Sequence, residues 1–271
     1  IAIGAFLCYK GVGTFTIYGH SVGEFLFSSQ WAPADNAQGG GKVGAAIFIF
    51  GSIITCALAL LISTPFSIAS AIFMTEISPG IGRKILQPAV EIFVGIPSVV
   101  YGWIGLTILV PFIKDLFDLK FGFSVLAAGI VLAVMIYPTI TSLSADAIRS
   151  IPKSFRQASY GLGATRWQTI SQVVIPASKS GLMTAIVLGL ARAFGEALAV
   201  AMVIGKMKAF PESLLSPTTN LTAAIASDMG GAMEGSEYNI ALWSMALLLF
   251  IISLVFIFII HYISAKGGHK A

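Results

Sequence analysis

Charge is the scarcest property of this chain: Asp, Glu, Lys and Arg make up 10% of its 271 residues, against about 25% in an ordinary soluble domain. With hydrophobic residues at 56% and mean hydropathy +0.90, too few polar side chains remain to cover a water-soluble surface of this size. Sulfur and imidazole are sparse as well. Cys8 and Cys56 lie in apolar segments without Cys-x-x-Cys spacing, and only 3 histidines are present, which supports neither a disulfide framework nor a metal site. Catalytic signatures are missing too: there is no His-Glu-x-x-His, no Gly-x-Ser-x-Gly and no paired catalytic constellation. The nearest approach to a phosphate-cradling nucleotide loop, Gly41-Lys42, is followed by Val43 and has Asn36 where the first Gly is required. Neither nucleotide hydrolysis nor a cofactor is therefore expected of this chain.

What is present is apolar length. Hydrophobic blocks run from Ile1 to Tyr9, Val43 to Met74, Ile85 to Val110, Gly122 to Ser142, Ala177 to Gly205 and Ile240 to Ile263. About 20 apolar residues cross a hydrocarbon core of about 30 Å, so these read as helices of an all-α membrane protein. The first block is too short to span and reads as a helix partly missing from this sequence. As one helix the second block would reach about 48 Å, and Pro65 is expected to break or bend it. Pro88, Pro97, Gly95, Gly102 and Gly105 interrupt the third, which should face the protein interior, because irregular backbone at membrane depth needs protein or water to satisfy it.

The formal charge of +4 sorts by membrane side rather than gathering on one soluble face, so no nucleic-acid partner is expected. Taking alternate connections together places Arg83, Lys84, Arg149, Lys153, Arg156, Arg166, Lys179, Lys266 and Lys270 on one side, against only Glu76 and Asp146. On the other side Lys10, Lys42, Lys114, Lys120, Lys206 and Lys208 are outnumbered by carboxylates. The basic side is the cytoplasmic one, which puts both termini in the cytoplasm. The outer loops, Gly11 to Lys42 and Lys206 to Asn239, are long enough to receive a partner, and the second carries Leu221, Ile225 and Met229 at four-residue spacing. Asn220-Leu221-Thr222 matches a glycosylation sequon, a tripeptide too common by chance to carry weight.

The most polar cytoplasmic stretch, SIPKSFRQASYGLGATRWQTISQVVIPASK, reads as two short helices. Ser154-x-x-Gln157 and Thr165-x-x-Gln168 both fit the capping box, and Gly161 and Gly163 sit between them where a left-handed residue can end the first helix. A DNA-binding helix-turn-helix is a poor reading for an elbow held between two membrane spans.

At these residues the chain resembles the permease subunits of ATP-binding-cassette importers. Gln157, Ala158, Ser159, Gly163, Val173 and Pro176 fall on the positions of that family's EAA loop, with Gln157 where the family usually has Glu. The stretches FMTEISPG, VEIFVGIPSVVYGWIGL and ARAFGEALAVAMVIG resemble phosphate-specific importers, and their C-type permeases more than their A-type ones. The resemblance implies a six-helix, MetI-like permease fold as a single transmembrane domain, with residues 143–176 as the cytoplasmic coupling loop. It implies that Ser154, Phe155, Arg156, Gln157, Ala158, Ser159, Gly161, Gly163 and Arg166 carry coupling to the ATPase. The partners it implies are a homologous A-type permease, two ATPase subunits, a periplasmic phosphate-binding protein, phosphate itself and inner-membrane lipid.

Two ionisable residues, Arg192 and Glu196, lie midway through the fifth block, four apart and hence on one face of a continuous helix. Each costs at least about 2.5 to 3.5 kcal/mol at bilayer depth on insertion scales, so both should face the bundle interior. The expectation is that Arg192 offers a guanidinium fork to phosphate in transit and that Glu196 limits retention. Glu91 is a third candidate for the pathway. Around the pair, Gly181, Ala185, Gly189, Ala193, Ala197, Ala201 and Gly205 repeat every four residues and would let another helix approach closely. Competing readings are an importer of another oxyanion such as sulfate or molybdate, an ion-driven secondary transporter, and a non-transporting scaffold.

Overall fold

A computed structural model describes residues 2–268, so Ile1, Lys270 and the Lys266 side chain lie outside the described residues. At bilayer depth backbone N–H and C=O groups cannot reach water, so each apolar block must close its own hydrogen bonds as a helix. Five helices among the described residues are long and apolar enough to cross a membrane: Ala46–Ile77, Ser98–Leu116, Val125–Arg149, Arg166–Gly195 and Glu237–Ile263. The N-terminal block is a helix of 10 residues, Ala2–Gly11.

Pro65 and Pro97, both expected to interrupt helices, act differently from one another. Pro65 does not break the first span: the helix runs unbroken over Ala46–Ile72 and continues as a π-helical turn, Phe73–Ile77. One lost ladder bond is tolerated where neighbours hold the helix, and the Ser67 hydroxyl beside it donates to the Tyr137 carbonyl at 3.2 Å. Pro97, by contrast, divides the third apolar block. The preceding Ile96 is extended (φ −68, ψ 128), as proline's Cδ requires of its neighbour, so Gln87–Gly95 is a separate helix and the second span begins at Ser98. Only one face of that span is buried in this chain, through Tyr101, Gly102, Gly105, Val110 and Ile113, while Val99, Trp103, Ile108 and Phe112 are exposed.

The chain forms two compact units. The first comprises Ile1–Leu58, Pro97–Leu132 and Phe194–Leu254. Its core joins Phe25, Val43, Phe48, Leu221, Leu242 and Met245, with Ile225 and Met229 packed against it. The Leu221-Ile225-Met229 stripe is therefore core-facing, not a free surface for a partner. Asn220 of the sequon is 2% exposed and caps the helix Leu221–Asp228 by accepting from the Ala223 N–H at 2.8 Å. Lipid tails are as apolar as leucine, so close contact rather than hydrophobicity draws membrane helices together. Gly102 shows it: a Cβ there would stand 2.8 Å from the Ala199 Cα.

The second unit comprises Ala59–Ile96, Ala133–Ala193 and Val255–Ala271. Ala71, Met74, Ala145, Ile148, Ile170, Val174 and Leu182 form its core. The small-residue row does admit a neighbour over its first half. A Cβ on Gly181 would meet Ala147 and one on Gly189 would meet Ile140, each at 2.5 Å, so the third span lies along that face.

Candidate functional site

The fifth apolar block does not run on as one helix. The fourth span ends at Gly195, Glu196 and Ala197 are non-helical, and a new helix covers Leu198–Val203. Arg192 and Glu196 therefore do not share a helical face. What holds the break is visible at Glu196 itself. Its Oε1 accepts from the Ala199 N–H at 3.0 Å, supplying a partner to one of the orphan donors of the new helix. Its carbonyl accepts from the Thr222 hydroxyl at 2.7 Å. Arg192 Nη1 donates to the Thr139 hydroxyl at 2.6 Å. Neither Arg192 nor Glu196 enters an ion pair among the described residues. The guanidinium thus lies in an apolar span with a neutral partner and most of its donors uncommitted. Glu91 is elsewhere: exposed, accepting from Gln87 Nε2 at 3.0 Å, and grouped with Arg83 and Arg149.

The elbow forms as two helices, Lys153–Gly161 and Arg166–Thr169. The capping box at Thr165 is present in both directions, Thr165 Oγ1 accepting from the Gln168 N–H and Gln168 Oε1 from the Thr165 N–H. The one expected at Ser154 is absent. Pro152 takes the N-cap position with φ −56 and ψ 142, which leaves Ser154 two residues past it, inside the helix, where it cannot cap. The first helix closes with Gly163 left-handed (φ +81), the Ala164 N–H donating to the Ser159 carbonyl and the Gly163 N–H to the Tyr160 carbonyl. That is the two-bond Schellman stop, and it is why glycine stands there. Gly161 remains helical.

Not all of the elbow residues face outward. Ser159 is buried and its hydroxyl meets that of Thr169 at 2.9 Å, joining the two helices. Arg156 turns back on the end of the first span. Its Nε lies 3.1 and 3.2 Å from the two Glu76 carboxylate oxygens and its Nη2 2.5 Å from Oε1, while the carbonyls of Ile151 and Ile148 accept at 2.8 and 3.1 Å. Arg166 Nη2 donates to the Ile77 carbonyl at 2.7 Å and to that of Glu76. Large apolar side chains stand out on the elbow's exposed face, Phe155, Tyr160, Leu162 at 88% and Trp167 at 65%, interspersed with Lys153, Ser154, Gln157, Ala158 and Arg166. A shallow cavity of about 640 Å³ runs past Phe155, Ala158, Leu162 and Val173.

In the sequence Glu76 stands out only as a charge, and neither Glu237 nor His20 stands out at all. Glu76 had a signal, being one of only two carboxylates on the basic side. The first unit holds Glu237, whose side chain is 0% exposed. It accepts from the N–H groups of Ala34, Gly40 and Gly41 at 2.7, 3.2 and 2.9 Å and from His20 Nε2 at 2.7 Å. His20 Nδ1 lies 3.3 Å from Glu24. Burial opposes the imidazolium, but these two carboxylates outweigh it and hold the His20 pKa above its ordinary value. Nearby, Lys208 pairs with Asp228 at 2.7 Å. The same unit has an apolar cavity of about 590 Å³, lined among others by Leu198, Met202 and Ala226, with Lys206 the only charged side chain on its wall.

Comparison with known proteins follows this geometry. The profile of a family described as "binding-protein-dependent transport system inner membrane component" matches residues 63–267. The chain is 54% identical to a probable ABC transporter permease protein, YqgH, of Bacillus subtilis, over 98% of this chain and 85% of that one. It is 35% identical to the phosphate transport system permease protein PstC of Haemophilus influenzae, over 93% and 84%, and 32% identical to a probable protein of that name in Methanocaldococcus jannaschii, over 78% and 72%. Among solved structures, a chain of the inward-facing MetNI methionine ABC transporter superposes with a TM-score of 0.60 at 20% identity, covering 82% of this chain and 96% of that one. At that identity the likeness establishes the fold.

Proposed function

Because the chain belongs to the family of binding-protein-dependent transport system inner membrane components, we propose that it is the permease subunit of an importer for inorganic phosphate, with its elbow as the docking surface for a separate ATPase. Its fold is the MetI-like permease fold, and ATP hydrolysis in this family belongs to partner subunits. The phosphate reading takes support from the relatives named as phosphate permeases. A second, A-type permease, two ATPases and a periplasmic phosphate-binding protein complete the proposed assembly. The loop over residues 143–176 would lie in the cytoplasm, with both termini on that side.

One observation carries the anion pathway: Arg192 stands half-buried in an apolar span, and its only side-chain partner among the described residues is a hydroxyl. A guanidinium at membrane depth without a counter-ion is unfavourable, and a passing dianion supplies the missing charge with geometry that suits two oxygens. Glu196 keeps one carboxylate oxygen on Ala199 and has the other available to accept a P–OH hydrogen bond, which keeps retention weak. Coupling follows from the elbow's exposed apolar residues. Burying Phe155, Leu162 and Trp167 against a motor subunit gives that subunit a grip, and the Arg156–Glu76 pair passes displacement to the first span.

Uptake of radiolabelled phosphate into vesicles carrying the assembled importer tests the reading. Arg192→Ala is expected to abolish accumulation while leaving assembly intact. Assembly together with uptake at the parental rate in both Arg192→Ala and Glu196→Ala would exclude the pathway role.

A further inference from the structure

The Arg156–Glu76 pair borders a cavity of about 530 Å³ in the second unit, whose wall carries Arg83, Arg149, Lys153 and Arg156 against Glu76 as its only carboxylate. Glu76 is taken up by Arg156 at 2.5 Å. Arg149 gives one N–H to Gln87 Oε1 at 3.0 Å and one to Asp146 Oδ1 at 3.4 Å, an ion pair weakened by solvent because the Asp146 side chain is 64% exposed. Arg83 and Lys153 have no hydrogen-bond or ion-pair partner among the described residues. A second cavity of about 450 Å³ is walled by the same Arg83 and Arg149, together with Glu91, which is itself bonded to Gln87.

Cations are thus in excess around one open hollow, and their types are informative. Two guanidinium forks and one ammonium suit a tetrahedral oxyanion, since each fork can take two oxygens and the ammonium adds a point charge. We propose that this cavity binds a phosphate-bearing anion, bridged by Arg83, Arg149 and Lys153, whether free inorganic phosphate or the phosphate of a lipid headgroup. The inference is independent of the transport pathway, because none of these residues is Arg192 or Glu196. It has a mechanical consequence. Lys153 opens the elbow's first helix, so an anion held there ties the elbow to Arg83 and Arg149 and gives it a chemical input besides the motor.

The full chain in phosphatidylcholine nanodiscs allows a direct test. Inorganic phosphate binding is measured by equilibrium dialysis with radiolabel, and phosphatidylglycerol retention by native mass spectrometry of discs doped with that lipid. At least one of the two should bind the parent. Its affinity should fall about tenfold or more in Arg83→Gln/Arg149→Gln and in Lys153→Gln, the loss expected for one charge-assisted hydrogen bond. Lys120→Gln, at a residue of the first unit that lines neither cavity, should match the parent. Weakened phosphate binding assigns a free-anion site, and weakened lipid retention alone assigns a headgroup site. The proposal is overturned if the parent binds neither, or if Lys153→Gln and the double variant both bind as the parent does.

Discussion

Arg156 spends its whole guanidinium on one carboxylate and two carbonyls, with side-chain exposures of 18% for Arg156 and 9% for Glu76. Removing one partner of a buried pair leaves the other charge stranded, which costs about 3 to 5 kcal/mol when burial is complete. Here two carbonyls remain for Arg156 and some water reaches it, so Glu76→Ala should cost about 2 kcal/mol, seen as a lowered thermal midpoint in detergent. Two hydroxyls at look-alike positions should behave differently. Thr165→Ala removes a working cap and should cost about 1 kcal/mol, whereas Ser154→Ala should change stability by less than about 0.5 kcal/mol. Hydrogen exchange at the Gln168 N–H reads the first effect locally. The Thr165 box was legible because everything it needs lies within four residues. The false one at Ser154 came from the same pattern, and Pro152 defeats it by claiming the cap position. Glu76 was legible as a charge but not as an anchor, because its partner lies 80 residues away.

At the scale of elements, the interruption at Glu196 separates two roles that one side chain performs. Glu196→Gln keeps an acceptor for the Ala199 N–H and should leave the helix Leu198–Val203 and the melting midpoint unchanged. Glu196→Leu removes the acceptor and should cost about 1 kcal/mol, as loss of a helix cap does. If the carboxylate also acts on the passing anion, phosphate uptake should change in the Gln variant despite its unaltered stability, and uptake equal to the parent would confine Glu196 to capping. The break could not be read from the chain. Ala197 continues the four-residue repeat of small side chains straight through the break, and a tertiary bond from Thr222 to the Glu196 carbonyl holds the turn open. The opposite error at Pro65 has the same origin. Local propensity argued for a break, and packing against the third span overrode it.

For the whole molecule, apolar length foretold six blocks, five of them long enough to span, and an elbow between the fourth and fifth; five spanning helices are found among the described residues, since bilayer thickness and backbone satisfaction act on every such block alike. The clasp around Glu237 was illegible, because His20 and the Gly40–Gly41 backbone lie 217, 197 and 196 residues from it in the chain. This clasp is pH-sensitive. His20 faces Glu24 and Glu237, and its raised pKa means that its contribution is fully present below the unfolded value of about 6.5 and is lost as pH rises through the higher folded value. The thermal midpoint should therefore fall on going from about pH 6 to pH 9, and His20→Gln should flatten that slope. If this chain passes an anion under force delivered to its elbow by another subunit, spoiling the elbow's apolar anchors must stop transport. Phosphate accumulation in vesicles containing the assembled importer and its binding protein decides this, comparing the parent with Leu162→Asp/Trp167→Asp. The parent should accumulate phosphate in an ATP-dependent way, and the elbow variant should lose about tenfold or more despite intact folding, on the scale of two buried anchor residues. Accumulation without ATP, or an elbow variant that assembles and transports at the parental rate, would contradict it.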